Sequence, residues 1–497
     1  MQRKFLRNLV LLVVLNLLIK PFWILGIDRS VQNTVGAAEY GFYFAILNFS
    51  FLFNILLDLG ITNFNNRNIA RHSQLLSKHF PNIFVLKLLL FALYLVFTFG
   101  GALFINYSRE QIFLLSVLAV NQFLAGFILY LRSNLSGLHL FKTDSLISVL
   151  DRTLMIVLVG VLLWGNILSE FKISYYVYAQ TLSYLLTFSV TFFIVVRKSG
   201  ARLFKLNWDP VFMLMIIRQS FPFALLVLFM TFYTRIDSVM LERILPDGAR
   251  YSGIYASAYR LLDAANQFSF LFAVLLLPIF SRMIKQKEAV GSLVRLSFTL
   301  AITPAIILAS GAFFYSSEIM QLLYPTYLGE SVSDFQFRME VSSRIFALLM
   351  LCSVGVSANY IFGTLLTANG SLKELNFISF AGVAVNTGLN LLLIPQYQAV
   401  GSAVASLVTL TMVAAAQAMV VSRIFRIRPG SGFVLRLLLV VAGTILIAQL
   451  SYLLPFAWII NLIIMGCASI LFSMLAGFFR LGHFLKIMGL GQQTQPQ

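Results

Sequence analysis

Apolar runs of roughly 20 residues, separated by short polar breaks, recur along the whole chain. An α-helix rises ~1.5 Å per residue, so such a run crosses a hydrocarbon layer ~30 Å thick while its backbone groups satisfy one another internally. The pattern predicts an all-α polytopic membrane protein. Its spans are expected near 8–28, 41–62, 82–105, 111–131, 145–167, 175–196, 212–235, 252–280, 291–314, 343–367, 374–395, 399–422, 432–453 and 457–479. That makes about fourteen transmembrane helices. The first run follows a basic start, MQRKFLRNLV, but has no small-residue cleavage site and reads as a retained helix.

The breaks differ in charge. Arg3, Lys4, Arg7, Arg67, Arg71, Lys78, Arg132 and Lys142 fall on one side. Arg197, Lys198, Arg202, Lys205, Arg282, Lys285, Lys287, Lys373, Arg423, Arg426, Arg428, Arg480 and Lys486 join them. The other side has only Arg29, Arg109, Lys172, Arg243, Arg250 and Arg338. A bias of about three to one places both termini in the cytoplasm by the positive-inside rule, and an even helix number agrees.

Composition sharpens this reading. The 497 residues are 59% hydrophobic and 11% charged, less than half the charged share of a soluble chain, about a quarter. A water-soluble protein is excluded. The net charge of +18 sits in short clusters between apolar runs, so it encodes topology and does not indicate nucleic acid. Cys352 and Cys467 lie far apart, and His72, His79, His139 and His483 form no ligand pattern, so no cofactor or metal is expected. The longest outer loop, about Ser316 to Val341, is too short for a catalytic ectodomain, and no acid–base pair or nucleophile constellation stands out. No enzyme is indicated.

An internal repeat is visible. Ile27-Asp28 precedes Gly41-Phe42-Tyr43, and Ile236-Asp237 precedes Gly253-Ile254-Tyr255. In each copy a helix is expected to end in Asp, a loop of about a dozen residues to follow, and Gly-x-Tyr to open the return. The copies are six spans apart, so they are parallel repeats about an axis along the membrane normal, of the kind that encloses a central cavity and permits alternating access. The plainer reading makes these residues ordinary interface positions.

Ionisable groups inside spans cost ~2.5–3.5 kcal/mol each on insertion scales, so each is a functional candidate. Lys20 shares a helix face with Asn16 and adjoins Pro21, where a kink is expected. Its alternative is to snorkel. Arg260, Asp263 and Gln267 define one polar face, or else a self-neutralising pair. Arg235 and Asp237 stand near the outer surface, where a headgroup anchor is the alternative. Of the neighbours Asp151 and Arg152, Arg152 is the better cavity lining. Asp58, one turn after Asn54, reads as structural, and Asn386 and Asn390 as helix-to-helix bonds. Lys20, Arg152, Arg235 and Arg260 form a cationic set suited to phosphate. Asp237, Asp263 and Asp28 are candidates for coupling or gating.

Four stretches carry a family resemblance: Glu39-Tyr40-Gly41-Phe42-Tyr43 leading to Leu57-Asp58-Leu59-Gly60-Ile61 and Arg67-Asn68-Ile69-Ala70-Arg71; Ser220-Phe221-Pro222-Phe223-Ala224-Leu225 leading to Arg235-Ile236-Asp237-Ser238-Val239-Met240-Leu241; Gly253-Ile254-Tyr255-Ala256-Ser257-Ala258-Tyr259-Arg260-Leu261; and Asn369-Gly370 through Asn386 and Asn390 to Leu393-Ile394-Pro395 and Gly401-Ser402-Ala403. In order and spacing they resemble the Wzx-type O-antigen flippases, the polysaccharide-export branch of the multidrug/oligosaccharidyl-lipid/polysaccharide exporter superfamily. One departure is Gln398, where the family often has glycine.

The resemblance implies two six-helix lobes, 1–205 and 206–428, with a terminal helix pair and short cytoplasmic tail at 429–497. It implies movement of undecaprenyl-pyrophosphate-linked oligosaccharide to the outer leaflet of a bacterial inner membrane, for surface polysaccharide such as lipopolysaccharide O-antigen or exopolysaccharide. A polysaccharide polymerase and chain-length machinery are the expected protein partners. A multidrug cation antiporter and a peptidoglycan-precursor flippase of the same superfamily are alternatives. A polytopic glycan polymerase or ligase normally has paired arginines in a large outer loop, whereas this loop has Arg338, with Arg344 at its edge.

Overall fold

A computed structural model describes residues 14–16, 18–62, 65–66, 69, 74–199, 210–327 and 329–478. Arg3, Lys4, Arg7, Arg67, Arg71, Arg202, Lys205, Arg480 and Lys486 lie outside the described residues, as does the 67–71 motif apart from Ile69.

The described residues form helices and no strand. In chain order these are α1 (Val14–Leu52), α2 (Leu75–Phe104), α3 (Arg109–Gly137), α4 (Phe141–Trp164), α5 (Ile173–Ser199), α6 (Pro210–Ile244), α7 (Gly248–Lys285), α8 (Gly291–Phe314), α9 (Ser316–Leu323), α10 (Val332–Asn369), α11 (Leu372–Phe425), α12 (Ser431–Tyr452) and α13 (Trp458–Leu475). All but the short α9 contain a stretch long and apolar enough to cross a membrane, which makes twelve such helices among the described residues.

Burial is inverted relative to a soluble protein. Val96 and Phe104 are 69% and 87% exposed on helices that lipid would surround, whereas Tyr40, Tyr94, Tyr176, Tyr255, Tyr315 and Tyr324 are fully buried. Lipid tails are as apolar as Leu, so apolar burial contributes little to helix association there, and packing and interhelical hydrogen bonds take over. The Tyr94 hydroxyl donates to Ser50 O at 2.9 Å, and that of Tyr324 to Ser257 O at 3.0 Å.

By internal contacts the chain divides into two compact units, Met1–Ala256 and Ser257–Gln497, the division falling within α7. In the first, α1 packs on α3, α5 and α6, and α5 packs on α3 and α4. In the second, α10 packs on α8 and α11, and α12 packs on α8 and α13.

The helix limits correct several expectations. Among the described residues, the first expected span and the start of the second, to Leu52, belong to one helical run, kinked at Gly36 (φ 80°, ψ 171°). The loop expected after Asp28 is therefore helix on both sides of that glycine. Helix likewise follows Asp237 to Ile244, and only residues 245–247 separate α6 from α7. Neither Arg29–Val35 nor Ser238–Ile244 contains Gly or Pro, so nothing breaks the backbone ladder, and the polar Gln32 and Ser238 are buried against protein. The second span stops early, at Leu52, where a 3-10 turn over Asn54–Leu57 takes over, and Leu59 (φ 44°) and Gly60 (φ 81°) then turn the chain left-handed. About two thirds of the expected outer loop is also helical, as α9 and the first turns of α10. Segments 374–395 and 399–422 join as α11, whose 54 residues would span ~80 Å if straight.

The break in α11 explains the Gln398 departure. Gln398 has φ 52° and ψ −134°, a region that glycine enters freely and a side chain enters at a cost of about 1–3 kcal/mol. Just beyond, a Cβ on Gly401 would collide with Leu393 O. The two arms are tied by Ser402 Oγ donating to Asn390 Oδ1 at 2.7 Å.

Gln398→Gly is therefore expected to raise stability by about 1 kcal/mol, the relieved strain exceeding the extra chain entropy of glycine. Thermal unfolding of the detergent-solubilised protein reads this, and a lowered midpoint would contradict the strain.

Candidate functional site

The Met1–Ala256 unit is organised around a close helix crossing. A Cβ placed on Gly41 would collide with Ala249 O and Gly253 N, and one on Gly253 would collide with Ala37 O. Ala37-x-x-x-Gly41 thus crosses Ala249-x-x-x-Gly253 with each glycine against the other segment's alanine, the small-residue contact that lets backbones touch. Gln32 Nε2 adds a hydrogen bond to Gly253 O at 2.8 Å.

This crossing sets the repeated carboxylates. Asp28 is 1% exposed and accepts from Tyr40 OH at 2.7 Å and Tyr176 OH at 2.6 Å. Asp237, also 1% exposed, accepts from Tyr255 OH at 2.7 Å. The copies differ in register: the donor in the first precedes the Gly-x-Tyr glycine, and in the second it is the tyrosine of that motif. Glu39 accepts the backbone N–H of Ile173 at 2.7 Å and so caps α5. The Glu39-Tyr40-Gly41 stretch therefore supplies a helix cap, a carboxylate ligand and a crossing point.

A different group of residues concentrates charge. Two residues beyond Pro21, which has no N–H to donate, α1 widens into a π-helical turn over Trp23–Asp28. Such turns are common at functional sites. Asn16 Nδ2 donates to Ser148 Oγ of α4 at 3.0 Å. One turn later, half-buried Lys20 lies within Coulombic range of Arg152, Asp151 and Arg132. The Arg152 guanidinium stands 4.2 Å from the centre of the Trp23 ring and 5.8 Å from that of Tyr184. Its Nε lies 3.7 Å from Asp151 Oδ2. Arg132 donates to Asp144 at 2.8 Å across the turn from α3 to α4. Three cations thus face two carboxylates.

The occupation of these arginines differs from that of Arg338. Arg338 makes two hydrogen bonds to Glu330, at 2.6 and 2.7 Å, and two more to Tyr324 O and Pro325 O. It closes the segment between α9 and α10. Arg152, 22% exposed at its side chain, has the Trp23 ring, the Tyr184 side chain, the Met155 thioether and one distant carboxylate as its contacts. A guanidinium with five N–H donors and no carboxylate at hydrogen-bond distance retains donors for an oxyanion.

Of the residues singled out in the sequence, Lys20 and Arg152 are brought together. Arg235 stacks on Phe51, its guanidinium carbon 5.6 Å from the ring centre. Arg260 and Asp263 belong to the Ser257–Gln497 unit, where their closest charged atoms are 3.9 Å apart. Trp23 and Tyr184, which hold Arg152, and Arg132 with Asp144 were not anticipated. Trp23 follows Lys20 by three positions, a spacing that already puts it on a neighbouring stripe of the same helix.

Comparisons with known proteins fit this architecture. The family described as "Polysaccharide biosynthesis protein" matches residues 5–284. No curated protein matches the chain by sequence. Among solved structures, the lipid II flippase MurJ in an inward closed conformation aligns with a TM-score of 0.68 at 15% identity, over 96% of this chain and 99% of that one. An outward-facing multidrug resistance MATE family transporter of the MOP superfamily aligns at 0.56 and 14% identity, over 85% and 96%. A Vibrio cholerae MATE transporter, VcmN, aligns at 0.55 and 15%, over 85% and 98%. The fold is that of this exporter superfamily. The structural neighbours are flippases and transporters, not enzymes.

One charged group escaped the sequence reading. Lys87, 1% exposed on α2, donates to Leu57 O at 2.9 Å and reaches Asp58 Oδ1 at 2.5 Å. Its signal was being the one charged residue between Lys78 and Arg109. Lys87→Met is expected to cost about 3 kcal/mol by leaving Asp58 without its cation, and adding Asp58→Asn should recover most of the loss. Unfolding midpoints of the single and double variants test this. Additive losses would show that the pair is not coupled.

Proposed function

We propose that this chain, which belongs to the polysaccharide biosynthesis protein family, is a flippase that carries undecaprenyl-pyrophosphate-linked oligosaccharide from the cytoplasmic to the outer leaflet of a bacterial inner membrane. The observation that carries the reading is the aromatic-held guanidinium of Arg152 beside Lys20. A diphosphate suits such a site because it offers several oxygens to the guanidinium edge and a full charge to the ammonium. Arg235 and Arg260 are further candidate contacts, and Asp28, Asp237 and Asp263 candidates for coupling or gating.

In this reading residues 1–205 and 206–428 act as lobes that alternate access, 429–497 add the terminal helix pair and tail, and both termini are cytoplasmic. The product supplies surface polysaccharide such as O-antigen or exopolysaccharide, with a polymerase and chain-length machinery as downstream partners. A membrane potential of ~100 mV, negative inside, favours outward passage of two negative charges by roughly 4–5 kcal/mol. That suffices to drive the step without a coupled ion.

A second reading, a peptidoglycan-precursor flippase, is favoured by the alignment with the lipid II flippase over nearly the whole of both chains. Complementation of strains lacking either flippase separates the two.

Arg152→Gln is expected to lower delivery of lipid-linked glycan to the outer leaflet by about tenfold or more, the worth of a charge-assisted hydrogen bond. Arg152→Glu and Arg260→Glu should abolish it. Surface glycan is measured at matched protein levels in the membrane. Undiminished delivery by Arg152→Glu would overturn the site.

A further inference from the structure

The Ser257–Gln497 unit contains a cavity of about 790 Å³ where the first turns of α8 and α12 meet the end of α13. Arg295 and Arg436 line it from neighbouring helices, with Phe433, Phe478, Thr299 and Gly430. No Asp or Glu lines it, and among the described residues neither arginine has a carboxylate partner. Residues 479–497 contain Arg480, His483 and Lys486 and no Asp or Glu.

We propose that this cavity is a binding site for an anionic phospholipid, the headgroup phosphate held between Arg295 and Arg436 and the first part of an acyl chain lying along Phe433 and Phe478. The geometry suits both ends of such a molecule. The Arg295 guanidinium carbon lies 5.7 Å from the centre of the Phe433 ring, within cation–π range. Arg436 Nη1 lies beside Gly477, 3.9 Å from where a Cβ would stand, so a side chain at 477 would narrow the site. The rings of Phe433 and Phe478 pack 5.4 Å apart and form an apolar wall. Two long helices also begin at the cavity, and their N-terminal N–H groups add positive potential.

The volume falls within the usual range for ligand sites, ~300–1,000 Å³. Basic pockets between transmembrane helices are the common means of holding acidic lipid headgroups. A zwitterionic lipid would present a cation to two arginines, and a free phosphate would leave the aromatic wall unused. The site involves none of the residues assigned to transport, so it stands or falls separately from the flippase reading.

The test is native mass spectrometry of the purified full-length protein in detergent, titrated with phosphatidylglycerol, with phosphatidylcholine and with inorganic phosphate. Phosphatidylglycerol is expected to bind at least about tenfold more tightly than phosphatidylcholine. The Arg295→Gln/Arg436→Gln double variant should lose that preference. Arg344→Gln removes an exposed cation of the same unit, paired with Glu340 at 2.7 Å, and should leave binding unchanged. Both cavity arginines are exposed, and a thermal unfolding midpoint equal to wild type confirms folding of the double variant. Equal affinity for the two lipids, loss of preference in Arg344→Gln, retained preference in the double variant, or inorganic phosphate binding as tightly as the lipid would each overturn the proposal.

Discussion

The contact of Ala37-x-x-x-Gly41 with Ala249-x-x-x-Gly253 constrains much of the Met1–Ala256 unit. Two helices that touch backbone to backbone fix their neighbours closely, because a shift of one residue replaces glycine by a side chain at a point with no space for one. Tyr40 precedes one of the glycines and Tyr255 follows the other by two positions. Once the crossing is set, their hydroxyls arrive at Asp28 and Asp237. Glu39, one position earlier, arrives at the start of α5. In a bilayer, where apolar burial hardly distinguishes one helix pairing from another, close approach and buried hydrogen bonds specify the arrangement.

Charge is handled in two ways. Lys87 with Asp58, Arg132 with Asp144 and Arg338 with Glu330 bond at short range, so each offsets the cost of burying its partner. Arg152 is held instead by aromatic faces, with its carboxylate neighbour at 3.7 Å. That difference separates a charge that holds the protein together from one available to a ligand, and it underlies the flippase reading. Arg295, near the Phe433 ring, repeats the second pattern in the other unit.

The sequence resemblance and the charged cluster draw on different residues. The stretches that align with exporters supply caps, turns and crossings: Asp58 through Gly60 at the end of the second span, Gly370 (φ 79°) ending α10, Asn390 with Ser402 across the break in α11. Lys20 and Arg152 lie outside those stretches. A scaffold is therefore recognisable by its motifs, whereas the chemistry of its site must be read from side chains that no motif marks.

Hydropathy along the chain determined the membrane class, the helical content and the approximate position of nearly every span, because the ability to cross a bilayer depends on ~20 successive residues and little else. The order of residues also singled out Asp28 and Asp237 together, and both are buried against tyrosine hydroxyls. Helix limits were less legible, because polar residues facing protein look the same, in one dimension, as polar residues in a loop. The partners of charged groups far apart in sequence were not legible. Tyr176 reaches Asp28 from 148 positions away and Lys87 reaches Asp58 from 29. Only the packing of helices against one another decides which distant residues meet, and so which buried charges are satisfied and which stay available to a ligand.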